Sequence, residues 1–176
     1  MKVALYIGDH VKDALTVRAG WWVTRLVQRG EFRSVTHCEA ILDEYADGSV
    51  QIGSASIRDG GVRTKVTWLN PDNWIIVDVP LWDVALSREF FEIHRGAPYS
   101  LSGAIATVLP GAPTPGTWFC NHAVGYPFLR DSSLFVPAEF AVICFSPGAD
   151  VTREFFLNRP QDPTDVIQQP LKPPVI

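Results

Sequence analysis

Val35-Thr36-His37-Cys38-Glu39-Ala40-Ile41-Leu42 is the stretch on which the reading of this chain turns. It sets one imidazole and one carboxylate two residues apart among aliphatic residues. A polar turn follows, Asp43 to Gly48, closing on Asp-Gly, and then a second apolar run, Ser49 to Ile57. The pattern predicts a β-hairpin with a longer loop, its strands at Phe32–Leu42 and Ser49–Ile57. Alternate residues of a strand share a face. His37 and Glu39 are therefore expected to point one way, with Val35 and Ile41. Cys38 points the other way, with Ala40 and Leu42, and reads as core filler. With the turn centred near residues 46–47, Glu39 falls opposite Ser54 and His37 opposite Ser56. A histidine on a sheet, with a carboxylate or hydroxyl beside it to hold one ring nitrogen, is how a general base is oriented.

Working outward, Lys2 to Ile7 reads as a strand and Val11 to Arg29 as a helix closed by Gly30, with Leu15, Ala19, Trp22 and Leu26 on one face. After the hairpin come an Arg-Asp-Gly-Gly turn at 58–61 and a strand from Val62 to Trp68. A further strand is expected from Trp74 to Leu81. Asp83 caps a helix running to His94, which Gly96 closes. Tyr99 to Val108 reads as helical. The loop Pro110 to Gly116 is set by its composition. Thr117 to Leu129 opens a helix near Cys120, and Phe140 to Phe145 reads as a last strand. Mixed order with strands grouped in the middle predicts an α+β fold. The domain is expected to span 1–157, with a proline-rich tail at 158–176 that holds five prolines and little periodic hydrophobicity.

Composition narrows the function classes. The chain has 176 residues, 47% of them apolar and 19% charged, enough for one domain with a real core. No run approaches the roughly 18 consecutive apolar residues of a membrane-crossing helix. The opening MKVALYIGDH lacks the parts of a signal peptide, and a cytoplasmic location is expected. Net charge is −4 and no basic patch is visible, which argues against nucleic acid as a partner. Three cysteines, Cys38, Cys120 and Cys144, are an odd count without short repeated spacing, so free thiols are expected rather than a disulfide framework.

One of those thiols has a reactive setting. In Trp118-Phe119-Cys120-Asn121-His122-Ala123 the cysteine follows a Pro/Gly loop and opens a helical pattern. A cysteine at a helix N-terminus meets unpaired N–H groups and the positive end of the dipole, both of which favour thiolate. The same N–H groups can hold an oxyanion during acyl transfer. A nucleophile at Cys120 with a base at His37 makes a Cys-His hydrolase. Each residue also has an ordinary reading: a structural histidine, a packing cysteine, a capping carboxylate at Glu39, core aromatics at Trp118 and Phe119. By ligand type His37, Cys38, Cys120 and His122 make a zinc-like set. However, neighbours on a strand point to opposite faces, and neither a metal nor any other cofactor is expected. No glycine loop for phosphate is present.

At these residues the chain resembles the circularly permuted papain-like hydrolases of the NlpC superfamily. These include the YiiX/YaeF-type group and the lecithin retinol acyltransferase-like proteins. In the permuted order the histidine strand precedes the cysteine helix, as His37-x-Glu39 precedes Trp118-Phe119-Cys120 here. Ser54-Ala-Ser-Ile-Arg-Asp-Gly-Gly-Val-Arg63 looks like the serine-rich strand and turn of small phage and prophage members. Gly96-Ala-Pro-Tyr99-Ser-Leu-Ser-Gly103 looks like the segment preceding their cysteine helix, with Ser100 where they carry aspartate. After the cysteine these members often have Ser-Glu, where this chain has Asn121-His122. The resemblance spans residues 2–145. It implies a small antiparallel barrel-like sheet with packed helices, Cys120 as nucleophile, His37 as base, and the Cys120 N–H in an oxyanion hole. It also implies Tyr99 as a polar wall of the cleft, with Trp118 beside it as a second substrate-binding residue. The family's third catalytic residue falls near Gly53 or Ser54. Glu39, the stronger acid, ranks ahead of Ser54 for that role. Expected substrates are peptides, cell-wall peptides of peptidoglycan, or a lipid acyl group, cut through a Cys120 thioester. The competing expectation is a catalytically inactive binding or structural module of the same fold, associated with a phage or prophage particle. The oligomeric state is not legible.

Overall fold

A computed structural model describes residues 1–8, 32, 34–106, 115–129, 135–157 and 159. The expected helix at Val11–Arg29 lies outside the described residues, as does the tail at 158–176 apart from Arg159. The strands are β1 (Lys2–Tyr6), β2 (His37–Glu44), β3 (Val50–Ser56), β4 (Gly61–Thr67), β5 (Trp74–Asp78) and β6 (Ala149–Asp150). The helices are α1 (Val84–Ile93), α2 (Leu101–Ala106), α3 (Cys120–Gly125), α4 (Pro137–Phe145) and α5 (Thr152–Leu157).

The fold is α+β, built on a six-stranded sheet in the order β4-β3-β2-β1-β5-β6. All of its pairings are antiparallel. The short apolar run of β1 sits near the centre because it tolerates burial on both faces: Val3 and Leu5 join one core, and Ala4 the other. The first core packs Cys38, Ala40 and Leu42 against Phe90 and Phe91 of α1, Cys120 and Val124 of α3, and Phe140 and Cys144 of α4. The second packs Ile41, Ile52 and Ile76 against Phe155 of α5. The sheet is open, in place of the expected barrel-like one. Its far edge is the two-residue β6, too short to carry the ladder further.

Two glycines decide local geometry. A Cβ on Gly53 would lie 2.6 Å from the Phe91 ring, so the bare backbone of β3 is what lets α1 seat on the sheet. Gly61 has φ +155 and its Cβ would lie 2.0 Å from the Ala97 carbonyl oxygen. Only glycine permits this approach, and it brings residues 96–99 alongside the edge of β4. There Val62 N–H donates to Ala97 and Gly96 N–H to Val62. The same segment then takes Trp118 in parallel: Trp118 N–H donates to Pro98 (3.1 Å) and Ser100 N–H to Trp118 (2.8 Å). The β4 edge thus fixes the chain two residues before Cys120. Ser100 caps α2 through Gly103 N–H (3.0 Å), work that an aspartate does equally well.

Asp83 caps α1 as expected, accepting from Ala85 N–H at 2.8 Å. The expected strand at Phe140–Phe145 is instead part of helix α4. Its aromatic and β-branched residues suggest a strand. But Pro137 opens a helix, and Glu139 accepts from Val136 N–H at 3.1 Å. β6 and α5 were not expected from the sequence. Beyond them Arg159 pairs with Glu44 and lies 3.9 Å over the Phe155 ring.

Candidate active site

β2 is bonded to β1 along its first five residues, His37 to Ile41. Its ladder with β3, however, runs only from Glu44↔Val50 to Ala40↔Gly53, while β3 continues with β4 to Ser56↔Gly61. Beyond Ala40↔Gly53 the β2–β3 ladder is not continued, and the Cys38 N–H meets the Cys120 thiol. Helix α3 packs into this end and brings Cys120 with it. Cys120 is the first residue of α3; Phe119 at the N-cap supplies no side-chain acceptor for the first-turn N–H groups.

Cys120 is 5% exposed. A hydrogen bond from the Cys38 thiol, then the charge and hydrogen bond of His37, and then the Cys38 N–H hold its thiol well below the ordinary range, against the opposing effect of burial. Burial works against a charged imidazole, but the Cys120 thiolate and then Glu39 push His37 up to about 9. The two shifts, opposite in direction, favour the thiolate–imidazolium pair. His37 Nε2 lies 2.8 Å from Glu39 Oε1, which leaves Nδ1 as the ring nitrogen for the thiol. The ring is 22% exposed.

Glu39, 2% exposed, is the orienting carboxylate. Burial alone would push it up; the Arg63 guanidinium, followed by His37, brings it down to about 2. Arg63 Nη1 and Nη2 donate to the two Glu39 oxygens, each at 2.6 Å. Arg63 Nε donates to Asp59 at 2.6 Å, and Lys65 reaches the same Asp59 oxygen at 3.2 Å. The result is a row of alternating charge running from Cys120 to Lys65.

The remaining expected residues divide. Ser54 does not orient the ring: its hydroxyl donates to the main-chain carbonyls of Cys38 (2.8 Å) and Ala55 (3.4 Å). Gly53 is excluded by its contact with Phe91. Tyr99 stands beside the thiol; burial, then the Cys120 and Cys38 charges, push its phenol up, so it stays a neutral O–H donor. Trp118 is buried in an aromatic cluster with Phe90, His94, His122 and Tyr126, its ring centroid 4.4–5.0 Å from theirs. That packing matches the ordinary core reading of Trp118. Val35 joins the Cys38 core cluster rather than the His37 side, because it precedes β2 and escapes strand alternation.

Two participants were not read from the sequence. Cys38 is buried core, as expected, yet its thiol and N–H both meet Cys120. Burial, and then the Cys120 charge, push the Cys38 thiol up, so it remains a donor. Arg63 reads from the sequence as the end of a turn and the start of the strand Val62–Trp68, with no role in the site. The signal was available in the register, since Arg63 pairs with Ser54 and so lies in the row of Glu39. Among the described residues no group of three or more His, Cys, Asp or Glu is placed to hold a metal, and no helix is long and apolar enough to cross a membrane.

The chain matches no family model, and neither a curated protein nor a solved structure matches it.

Proposed function

We propose that this chain is a thiol hydrolase, a peptidase or amidase of the permuted papain-like kind, cleaving an amide or ester through a thioester on Cys120. One observation carries the reading: a cysteine held as thiolate at the start of α3, against an imidazole whose far nitrogen is 2.8 Å from a buried, ionised carboxylate. A structural histidine or packing cysteine needs no such alignment.

The chemistry follows from the groups present. His37 takes the thiol proton, and the Cys120 sulfur attacks the substrate carbonyl carbon. The negative charge that develops on the carbonyl oxygen falls near the Cys120 N–H at the start of α3, where Phe119 supplies no side-chain cap. As the intermediate collapses, the imidazolium donates its proton to the departing amine or alcohol. Water then enters with His37 as base, the thioester opens, and the thiol is restored. Glu39 holds the ring in the orientation both transfers need and stabilises its charge. Substrates proposed on the resemblance are cell-wall peptides, other peptides or acyl lipids.

The test joins alkylation to hydrolysis. Cys120 is expected to react with iodoacetamide well ahead of Cys38 and Cys144, down to mildly acidic pH, because thiolate is the nucleophile. Hydrolysis of a panel of peptidoglycan peptides, model amides and acyl esters should rise as Cys120 deprotonates and fall near pH 9, where His37 loses the proton it must donate. Cys120→Ala should abolish turnover with the fold intact. Slow, equal labelling of all three thiols, with no turnover, would overturn the reading in favour of a binding or structural module.

A further inference from the structure

Glu39, Ser54 and Arg63 lie in one row across three strands. Arg63 pairs with Ser54, and continuing the β2–β3 register past Ala40↔Gly53 sets Glu39 opposite Ser54. Residues directly opposite in antiparallel strands share a face. Arg63 and Glu39 are thus two strands apart, about 10 Å between backbones. A guanidinium on its long stem spans that distance only over a short side chain. Ser54 is short, fully buried, and turned onto the Cys38 carbonyl. Across it Arg63 places a two-pronged fork on both Glu39 oxygens. Its third nitrogen is anchored by Asp59, and Asp59 by Lys65. A carboxylate gripped at both oxygens cannot turn away from His37 without breaking the fork.

We propose that Arg63 is the positioning residue of this site, fixing the Glu39 carboxylate in the orientation and the ionised state that hold the His37 ring against Cys120. This rests on the thiol-hydrolase reading. Other groups face the row. Cys120 and Glu39 flank His37; Cys38 and Tyr99 flank Cys120; Cys144 lies near Cys38; Asp59 and Lys65 flank Arg63. Of these, Arg63 is the cation that meets Glu39 from the side away from the thiol. Without it, burial returns Glu39 toward its protonated form as pH falls, the imidazolium loses its anion, and the thiolate loses its imidazolium.

The test is the pH profile of Cys120 alkylation by iodoacetamide in the full chain, read by peptide mapping, with thermal melts as the folding control. In Arg63→Gln the acid limb should move up by about one unit, so that labelling at a pH below both midpoints falls about tenfold. Arg63→Lys, which keeps the cation but not the fork, should restore most of the limb while hydrolysis stays low. Because Arg63 acts through Glu39, adding Arg63→Gln to Glu39→Gln should move the limb no further. A folded Arg63→Gln with the parent's limb, or one whose shift persists in the Glu39→Gln background, would overturn the proposal. If Arg63→Gln does not fold, Asp59→Asn on the exposed turn should give a smaller shift of the same sign, and an unmoved profile there would overturn it equally. A parent whose Cys120 labels no faster than Cys38 would instead fail the hydrolase reading and take this inference with it.

Discussion

Helices α3 and α4 are a controlled pair. Both are short, both enter the same core, and each carries one buried cysteine. Cys120 is the first residue of α3, whereas Cys144 sits in the last turn of α4. Cys120 meets a thiol, an N–H and an imidazole and is held as thiolate. Cys144 meets burial alone, which pushes its thiol up. The helix starts differ in the opposite sense. α4 opens on proline and is closed by the Glu139 carboxylate, while α3 opens on Phe119, which caps nothing. The helix whose start a carboxylate caps holds the inert thiol, and the helix whose N-cap residue makes no side-chain hydrogen bond holds the reactive one. Burial is common to both, so burial does not decide reactivity here; the neighbours do.

The sharpest way to break that comparison is to delete each thiol in turn. Cys120→Ala should remove all fast alkylation and all turnover. Cys144→Ala should change neither, and should cost on the order of 1 kcal/mol from the small cavity it leaves. Loss of turnover in Cys144→Ala, with the melt only slightly lowered, would mean that the two helices do not divide the work in this way. Peptide-mapped labelling and turnover on the same preparations read both halves.

The two helices are also tied together. Asn121, buried, donates through Nδ2 to the carbonyl of Phe135, just ahead of α4, and its Oδ1 lies 3.5 Å from Cys120 Sγ. Asn121→Ala leaves the half-buried Phe135 carbonyl without this donor, and a buried polar group left unsatisfied costs at most about 1–3 kcal/mol. The melting temperature should fall accordingly, and Cys120 labelling should slow only modestly, because His37 and Cys38 remain. A labelling loss as large as that of Glu39→Gln would make Asn121 part of the proton path rather than a tether.

How much of this was legible follows the range of the interactions. Alternation along β2 puts His37 and Glu39 on one face, a local rule; Glu39 comes opposite Ser54 only through the register shift between Ile41 and Asp43, since the pairing next to the turn, Glu44↔Val50, continued unbroken would set Glu39 opposite Ala55. Cys38 was half-read, because its side chain does face the core, but the core at that point contains Cys120. That meeting depends on the 96–99 segment docking on β4, which no local pattern announces. Arg63 lay hidden for the same reason, being 24 residues from its partner. The barrel-like sheet came with the resemblance alone; strand patterning does not state which edges stay unpaired, and the sheet is open. The FAVICF run was misread because propensity was weighed over residues 140–145 alone, while the helix signal sits just before it, in Val136-Pro137-Ala138-Glu139.

That misreading yields the smallest of the expected effects and the cleanest control. If Pro137 and Glu139 are what turn an apparently strand-forming run into a helix, weakening the cap should loosen α4 without reaching the thiol. Glu139→Ala removes the acceptor of the Val136 N–H, and lost caps cost about 1 kcal/mol. Thermal denaturation should report that loss, while the Cys120 alkylation profile stays where it is, since Glu139 acts at the start of α4 and no charge in the row from Cys120 to Lys65 comes from that helix. A shifted profile would show that the α4 start helps to hold α3 in place. The contrast between the helices would then be one of degree, with Cys120 depending on the capped helix as well as on its own neighbours.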